Sequence, residues 1–367
     1  MLKDMFNLEK FCFAHQLINW YQAHKRDLPW RRTKVAYQIW LSEIILQQTR
    51  VAQGLPYYER FMAKYPNIHA LAEASEQDIL RLWQGLGYYT RARKLHACAM
   101  KVVVDYQGVF PKNYLSLLKL PGIGPYTAAA IASIAFDERV AVIDGNVYRV
   151  LARIFGIEAA INSTEGKAIF HSLANQLIDT NAPAIYNQAI MEFGALHCTP
   201  KQPKCLACVF KSNCKAFLTG QQTVLPNKLP KAIAKKRFFH YLVMRDQQGN
   251  FFMNIRKKGD IWQGLYDFYL LERHETLDTE QLLTDPLIAL AKQYQLEINL
   301  VPKRYKHILT HQVLYATFFT LTINEAFLQA AQKCLQSHQL TAFAPHQAHN
   351  LPKPKLICCF LADFYYI

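Results

Sequence analysis

Four cysteines crowded into seventeen residues limit what this chain can be more than any other feature. Cys198, Cys205, Cys208 and Cys214 follow the pattern C-x6-C-x2-C-x5-C on a segment carrying two internal prolines, Pro200 and Pro203. Four thiolates on one short, kinked stretch can wrap a single metal centre tetrahedrally, as zinc or an iron–sulfur cubane requires. The chain holds nine cysteines, an odd number that argues against a fully paired secreted disulfide framework. Lys201, Lys204 and Lys211 lie inside the loop, where they could present positive charge to phosphate.

Lysine and arginine number 42 against 27 acidic residues, a formal +15, and such an excess raises the local concentration of polyanions. No uninterrupted apolar run approaches the ~20 residues of a membrane helix, and the N-terminus carries no secretory pattern. A cytoplasmic protein, in a bacterium one that works at the chromosome, is expected, with no membrane partner.

Residues 1–218 read as helices by apolar periodicity. One such stretch, 39–65, is expected to break near Gly54 and Pro56, and 71–83 reads as one helix. Residues 219–237, with Pro226, Pro230 and a basic run, read as a linker. Short alternating runs after it (238–244, 251–256, 266–271, 313–323) and helical patterns at 280–294 and 325–337 predict an α+β domain over 238–367. At 367 residues two domains are reasonable.

Two segments add chemistry. Gly122 and Gly124, spaced by one residue between helical patterns, permit a sharp turn. The N–H groups and dipole of the next helix then offer an anion site. Some twenty residues on, Asp144 stands at the mouth of another helix before Asn146, where it is either a cap or a buried functional acid.

These segments resemble the MutY-type adenine DNA glycosylases of the helix-hairpin-helix, endonuclease III-like superfamily. The resemblance rests on Leu28 to Arg31, Trp40 to Val51, Trp83 to Arg93, the hairpin, Val142 to Val150, Tyr186 to Ala195 and the cysteines. It implies a multidomain chain: an all-α helix-hairpin-helix domain with a [4Fe–4S] loop on the four cysteines, plus an α+β nudix-like C-terminal domain. The implied partner is duplex DNA with adenine opposite 8-oxoguanine or guanine, bound by a monomer.

The implied reaction is hydrolysis of adenine's glycosidic bond after base flipping. Glu43, desolvated among Trp30, Trp40, Ile44 and Leu46, would donate a proton, and Asp144 would stabilise the oxocarbenium sugar. Asn146 and Tyr126 belong to the same catalytic group. Tyr126 stands where bifunctional relatives place a nucleophilic lysine, so no Schiff base is expected there; a slow side reaction through Lys25 stays open. Trp30, Arg31, Leu46, Val51 and Gln188 would line the adenine pocket. Gln48 and Tyr88 would enter the duplex, and Gly122 and Gly124 would grip phosphate.

In the second half, Trp262 to Phe268 resembles the MutY C-terminal domain, which is related to nudix folds. Residues 272–300 lack the R-E-x-x-E-E run of nudix hydrolases, so no such hydrolysis is expected. Leu309, Thr310 and His311 occupy the position of the family's Phe-Ser-His lesion-reading loop, with leucine replacing the aromatic ring. The rival readings are a glycosylase–lyase, a catalytically silent DNA-binding protein and a nudix hydrolase with a helical appendage.

Overall fold

The computed structural model describes residues 12–230, 233–275 and 284–365. The chain divides into two compact units. The first comprises residues 1–73 and 94–230, and the second 74–93 and 231–367.

The first unit opens with α1 (Phe13–His24), α2 (Ala36–Leu46), α3 (Val51–Lys64) and α4 (Ile68–Ala72). The expected break at Gly54 and Pro56 is not there. Both residues lie inside α3, and the chain turns at Gln47–Arg50 instead. Gly54 serves a close approach: a Cβ there would stand 2.7 Å from Leu46 Cδ2, so a larger residue would displace that side chain where α2 and α3 meet. The single helix expected over 71–83 is two. Ser75 starts the second, α5 (Glu76–Trp83), by accepting from Asp78 N.

After α6 (Thr90–Tyr106) and the short α7 (Tyr114–Leu117) comes the hairpin, then α8 (Pro125–Phe136), α9 (Gly145–Phe155), α10 (Thr164–Leu177), α11 (Pro183–Leu196) and α12 (Lys215–Leu218). Helix α8 is apolar almost all round, with eight consecutive buried residues from Thr127 to Ile134, which marks it as the unit's central helix. Helices α2 and α11 pack on it, and α11 also meets α1 and α9.

The linker expected over 219–237 is shorter than the composition suggested. Residues 219–230 stay with the helical unit, because Leu225 is buried and its carbonyl accepts from Arg153 Nε. Asn227 O accepts from Ile161 N. The basic run is also partly strand, since β1 begins at Lys235. The other departure is at 74–93, which the sequence assigned to the helical domain: α5 and the loop after it belong to the second unit.

That unit is built on β1 (Lys235–Asp246), with β2 (Phe251–Ile255), β3 (Tyr266–Asp267), β4 (Tyr269–Arg273), α13 (Pro286–Gln293), β5 (Ile298–Leu300), β6 (Tyr305–Ile308), β7 (Gln312–Ile323), α14 (Glu325–Ser337), β8 (Thr341–Phe343), α15 (Pro345–Asn350) and α16 (Lys355–Phe364). The helical pattern expected from residue 280 falls partly outside the described residues. β1 and β7 run parallel at the centre, from Lys235 opposite Gln312 to Asp246 opposite Ile323. The other strands pair antiparallel around them. Successive side chains of β1 alternate faces. Leu242 and Met244 pack with Leu287 and Phe327 of α13 and α14, while Tyr241 stacks on Phe318, which stacks on Phe360 of α16 at 4.0 Å. Burial on both faces explains why β1 reads as a nearly continuous apolar run.

Candidate active site

A cavity of about 550 Å³ opens in the first unit, walled by residues from α2, α3, α8, α9 and α11. Glu43, on the inner face of α2, is 8% exposed. Its Oε2 accepts from the Tyr126 hydroxyl at 2.5 Å. Desolvation pushes the Glu43 carboxyl up to about 7, and nearby Asp144 adds to the rise. The Tyr126 hydrogen bond and Arg31 oppose it. A carboxyl at about 7 is protonated in roughly half of the molecules at neutral pH, and that form can give the proton away.

Asp144 lines the same cavity from the mouth of α9. It is the helix cap, and it also faces the cavity. Its Oδ1 accepts from Asn146 N and Val147 N at 2.8 Å each, and Oδ2 accepts from Asn146 Nδ2 at 2.7 Å. Burial raises this carboxyl above the ordinary range, against those three bonds and Arg149. Three N–H donors and a helix N-terminus are what an ionised carboxylate needs. The cavity thus holds two carboxyl groups in unlike environments, one supplied with donors and one mostly deprived of them.

Trp30, Arg31, Leu46, Val51, Tyr126, Asn146 and Gln188 also line this cavity, so the pocket residues named from the sequence come together. Trp40 and Ile44 do not: both are buried in the core behind Glu43. Lys25 is not part of the wall, and among the lining residues there is no lysine. Gln188 Oε1 accepts from the Tyr21 hydroxyl at 2.8 Å.

Four residues with no role in the sequence reading support this arrangement. Arg149 donates to Asn146 Oδ1 at 2.8 Å, and to the carbonyls of Gly194 and Cys198 at 2.7 Å each. It therefore ties the amide that holds Asp144 to the start of the cysteine loop. A Cβ on Gly194 would stand 2.6 Å from Asn146 Cβ and 3.1 Å from its backbone, so glycine lets α11 approach α9. Buried Glu192 takes both Arg26, at 2.8 and 2.7 Å, and Arg31, at 2.8 Å. Burial would raise its carboxyl, but the two arginines hold it below the ordinary value. Glu192 and Gly194 lie in the Tyr186–Ala195 segment and Arg149 in Val142–Val150, the one hint the sequence held of their part; Arg26 lies in neither.

Gly122 sits at φ +77°, and α8 starts at Gly124 with no side-chain cap, leaving its first turn accessible to an anion. Gln48 and Tyr88 are exposed at loop tips. Both hold left-handed backbones, φ +54° and +49°, a conformation that costs non-glycine residues ~1–3 kcal/mol.

The four loop cysteines are free and line one gap, with Arg153, His197 and Phe193 behind them. Arg153 donates to Cys198 Sγ at 3.5 Å and Phe210 N to Cys208 Sγ at 3.4 Å. Burial pushes the Cys208 thiol up to about 12, with its sister cysteines contributing, so a thiolate there requires a cation. Among the described residues, no group of three or more His, Cys, Asp or Glu is arranged for a single metal ion. Four cysteine thiols lining one gap are the donor set that zinc or an iron–sulfur cubane takes. Lys201, Lys204 and Lys211 are exposed around the loop.

In the second unit, Leu309–His311 forms the tip joining β6 to β7, closed by Leu309 N donating to Gln312 O. Leu309 is half-buried, and Thr310 and His311 are exposed. A cavity of about 200 Å³ lies there, lined by this tip together with Tyr88, Arg93 and Trp262. The Tyr88 hydroxyl reaches Thr310 Oγ1 at 2.5 Å.

This fold and cavity define a chain of the helix-hairpin-helix base-excision class. Residues 41–176 match the family model of the HhH-GPD superfamily base excision DNA repair protein, and residues 240–362 match that of the NUDIX domain. An adenine DNA glycosylase of Buchnera aphidicola subsp. Baizongia pistaciae is 33% identical over 316 residues, covering 85% of this chain and 87% of that protein. The chain belongs to the adenine DNA glycosylase family. The Mus musculus adenine DNA glycosylase is 45% identical over 228 residues, 59% of this chain and 44% of that protein. The chain thus spans under half the length of this and similar mammalian relatives. A solved thermostable thymine-DNA glycosylase superposes with a TM-score of 0.53 at 30% identity, covering 56% of this chain and 95% of that one. No helix among the described residues is long and apolar enough to cross a membrane.

Proposed function

We propose that this protein hydrolyses the N-glycosidic bond of adenine mispaired with 8-oxoguanine or guanine in duplex DNA. The observation that carries the reading is the pair of unlike carboxyls in one cavity. Glu43, protonated near neutrality, gives its proton to N7 of the flipped adenine, turning a poor leaving group into a neutral one as C1′–N9 breaks. Asp144, supplied with three donors, stays anionic and stabilises the oxocarbenium sugar, to which water then adds. Asn146 holds Asp144 in place, and Tyr126 orients Glu43. With no lysine in the wall, release proceeds without a Schiff base.

Trp30, Leu46 and Val51 enclose the base, and Arg31 and Gln188 meet its polar edge. Gln48 and Tyr88 fill the space it vacates, while Gly122 and Gly124 bind phosphate. Thr310 and His311, with Leu309 beside them, read the oxidised guanine. Cys198, Cys205, Cys208 and Cys214 would hold a [4Fe–4S] cluster, whose cationic core compensates four thiolates and fixes the lysine-bearing loop. One chain supplies both carboxyls, consistent with a monomer.

Single-turnover reaction on duplexes carrying one adenine opposite 8-oxoguanine, guanine or thymine tests this reading. The expected result is alkali-dependent cleavage at adenine in the first two only. Cleavage without alkali, or none at all, would overturn it.

A further inference from the structure

A second cavity, of about 540 Å³, lies against the first within the same unit. Arg26, Leu28, Arg31, Ile134 and Gln188 line both. The partition is therefore made of side chains, and its central link is polar: Tyr21 donates to Gln188 Oε1 at 2.8 Å and lies 3.4 Å from Arg31 Nη1. Tyr21 and Ala184, with the shared Leu28 and Ile134, give the second cavity an apolar floor.

Of the cations around this cavity, Arg26 and Arg31 converge on Glu192, Arg32 pairs with Asp27, and Lys34 pairs with Asp137 at 2.5 Å; Lys25 also lines it and lies 5.9 Å from the centroid of the Tyr21 ring. An uncharged planar base finds an apolar floor and a rim of hydrogen-bonding groups.

Access adds a second argument, which rests on the glycosylase reading. A base that arrives on a sugar still joined to the duplex leaves its own entrance filled by that strand. After the bond breaks, the free base needs another way out or must wait for the DNA to dissociate. We propose that the second cavity is the exit route for the excised purine, with the Tyr21–Gln188 hydrogen bond as the partition it passes. The base moves as a neutral molecule and no further bond is made or broken.

Ile185 lines the second cavity and not the first and is 42% exposed, so it accepts a large side chain without disturbing the core. The experiment uses duplex with radiolabelled adenine opposite 8-oxoguanine and excess enzyme, comparing wild type with Ile185→Trp. Quenching in alkali follows bond cleavage, and rapid filtration follows label retained on the protein–DNA complex. The expected result is an unchanged cleavage rate with label held about tenfold longer, or more, in the blocked variant. Label that leaves both proteins equally fast after equal cleavage would overturn the exit route while leaving the glycosylase reading intact. Absence of cleavage in wild type would instead remove the reading on which the route rests.

Discussion

Tyr88 and Thr310, 222 residues apart in sequence, share a 2.5 Å hydrogen bond between their hydroxyls. The proposed wedge residue and the proposed lesion-reading tip are thus one structural element of the second unit. If they act together on 8-oxoguanine, Tyr88→Phe and Thr310→Val should be non-additive in a double-mutant cycle on affinity for the lesion duplex, by about 1 kcal/mol. Thr310→Ala/His311→Ala should narrow the affinity gap between 8-oxoguanine and guanine duplexes by ~10-fold, since a base-edge contact contributes ~1–3 kcal/mol. Titrations at one fixed salt concentration measure both. Strict additivity would mean that the two hydroxyls serve separate ends.

Glu43 dictates a pH dependence. Its carboxyl lies at about 7 rather than 4.5, and the proposed donor form is the protonated one, so single-turnover excision should fall as pH rises through 7. The Tyr126 hydrogen bond lowers this value. Removing it in Tyr126→Phe should move the alkaline limb upward by about one pH unit, the scale of a hydrogen bond to a charged group. A limb that stays put would separate Tyr126 from Glu43.

The same shift has a stability consequence of definite sign. Between pH 4.5 and 7 the folded protein keeps a proton that the unfolded chain has released, so stability falls across that window and the full cost applies above it. Glu43→Gln should therefore abolish excision yet be more stable than wild type at pH 8, by up to about 3 kcal/mol. The difference should fade toward pH 4.5. Denaturant melts at both pH values check the sign, and a variant less stable at pH 8 would contradict it.

Gly194→Ala should damage activity more than stability. The added methyl meets Asn146 at its Cβ and backbone, costing ~1–3 kcal/mol of overpacking and shifting the amide that holds Asp144. Gly166→Ala is the control, because its Cβ would collide with the Ala160 carbonyl, outside the residues lining the cavity. It should lower the melting temperature while excision per folded molecule stays near wild type. Equal effects of the two variants on excision would remove the special place given to Gly194.

Purified protein should contain about four iron and four sulfide per chain with a yellow-brown absorbance. Stoichiometric zinc after anaerobic purification would replace the cluster by a mononuclear site.

Local pattern determined a good deal. The apolar spacing of 126–135 and 147–155 marks α8 and α9, because one-sided or all-round burial imposes its period directly on sequence. The glycines of the hairpin and Asp144 before its helix are similarly legible, since turn and cap chemistry act over three or four residues. Cysteine spacing identified the loop for the same reason. What remained hidden depends on distant segments. Gly54 looks like a helix breaker until Leu46 is seen against it, and Gly194 is silent without Asn146. The bonds of Arg149 to Gly194 and Cys198 span 45 and 49 residues. The 74–93 segment carries an ordinary helical pattern, and nothing local says that it joins a β-rich unit. Two carboxyls with opposite donor supply, and a second cavity sharing their wall, likewise exist only once α1, α2, α8, α9 and α11 have met. Burial and hydrogen-bond geometry, which set proton affinity and access, are properties of that meeting rather than of any one stretch of chain.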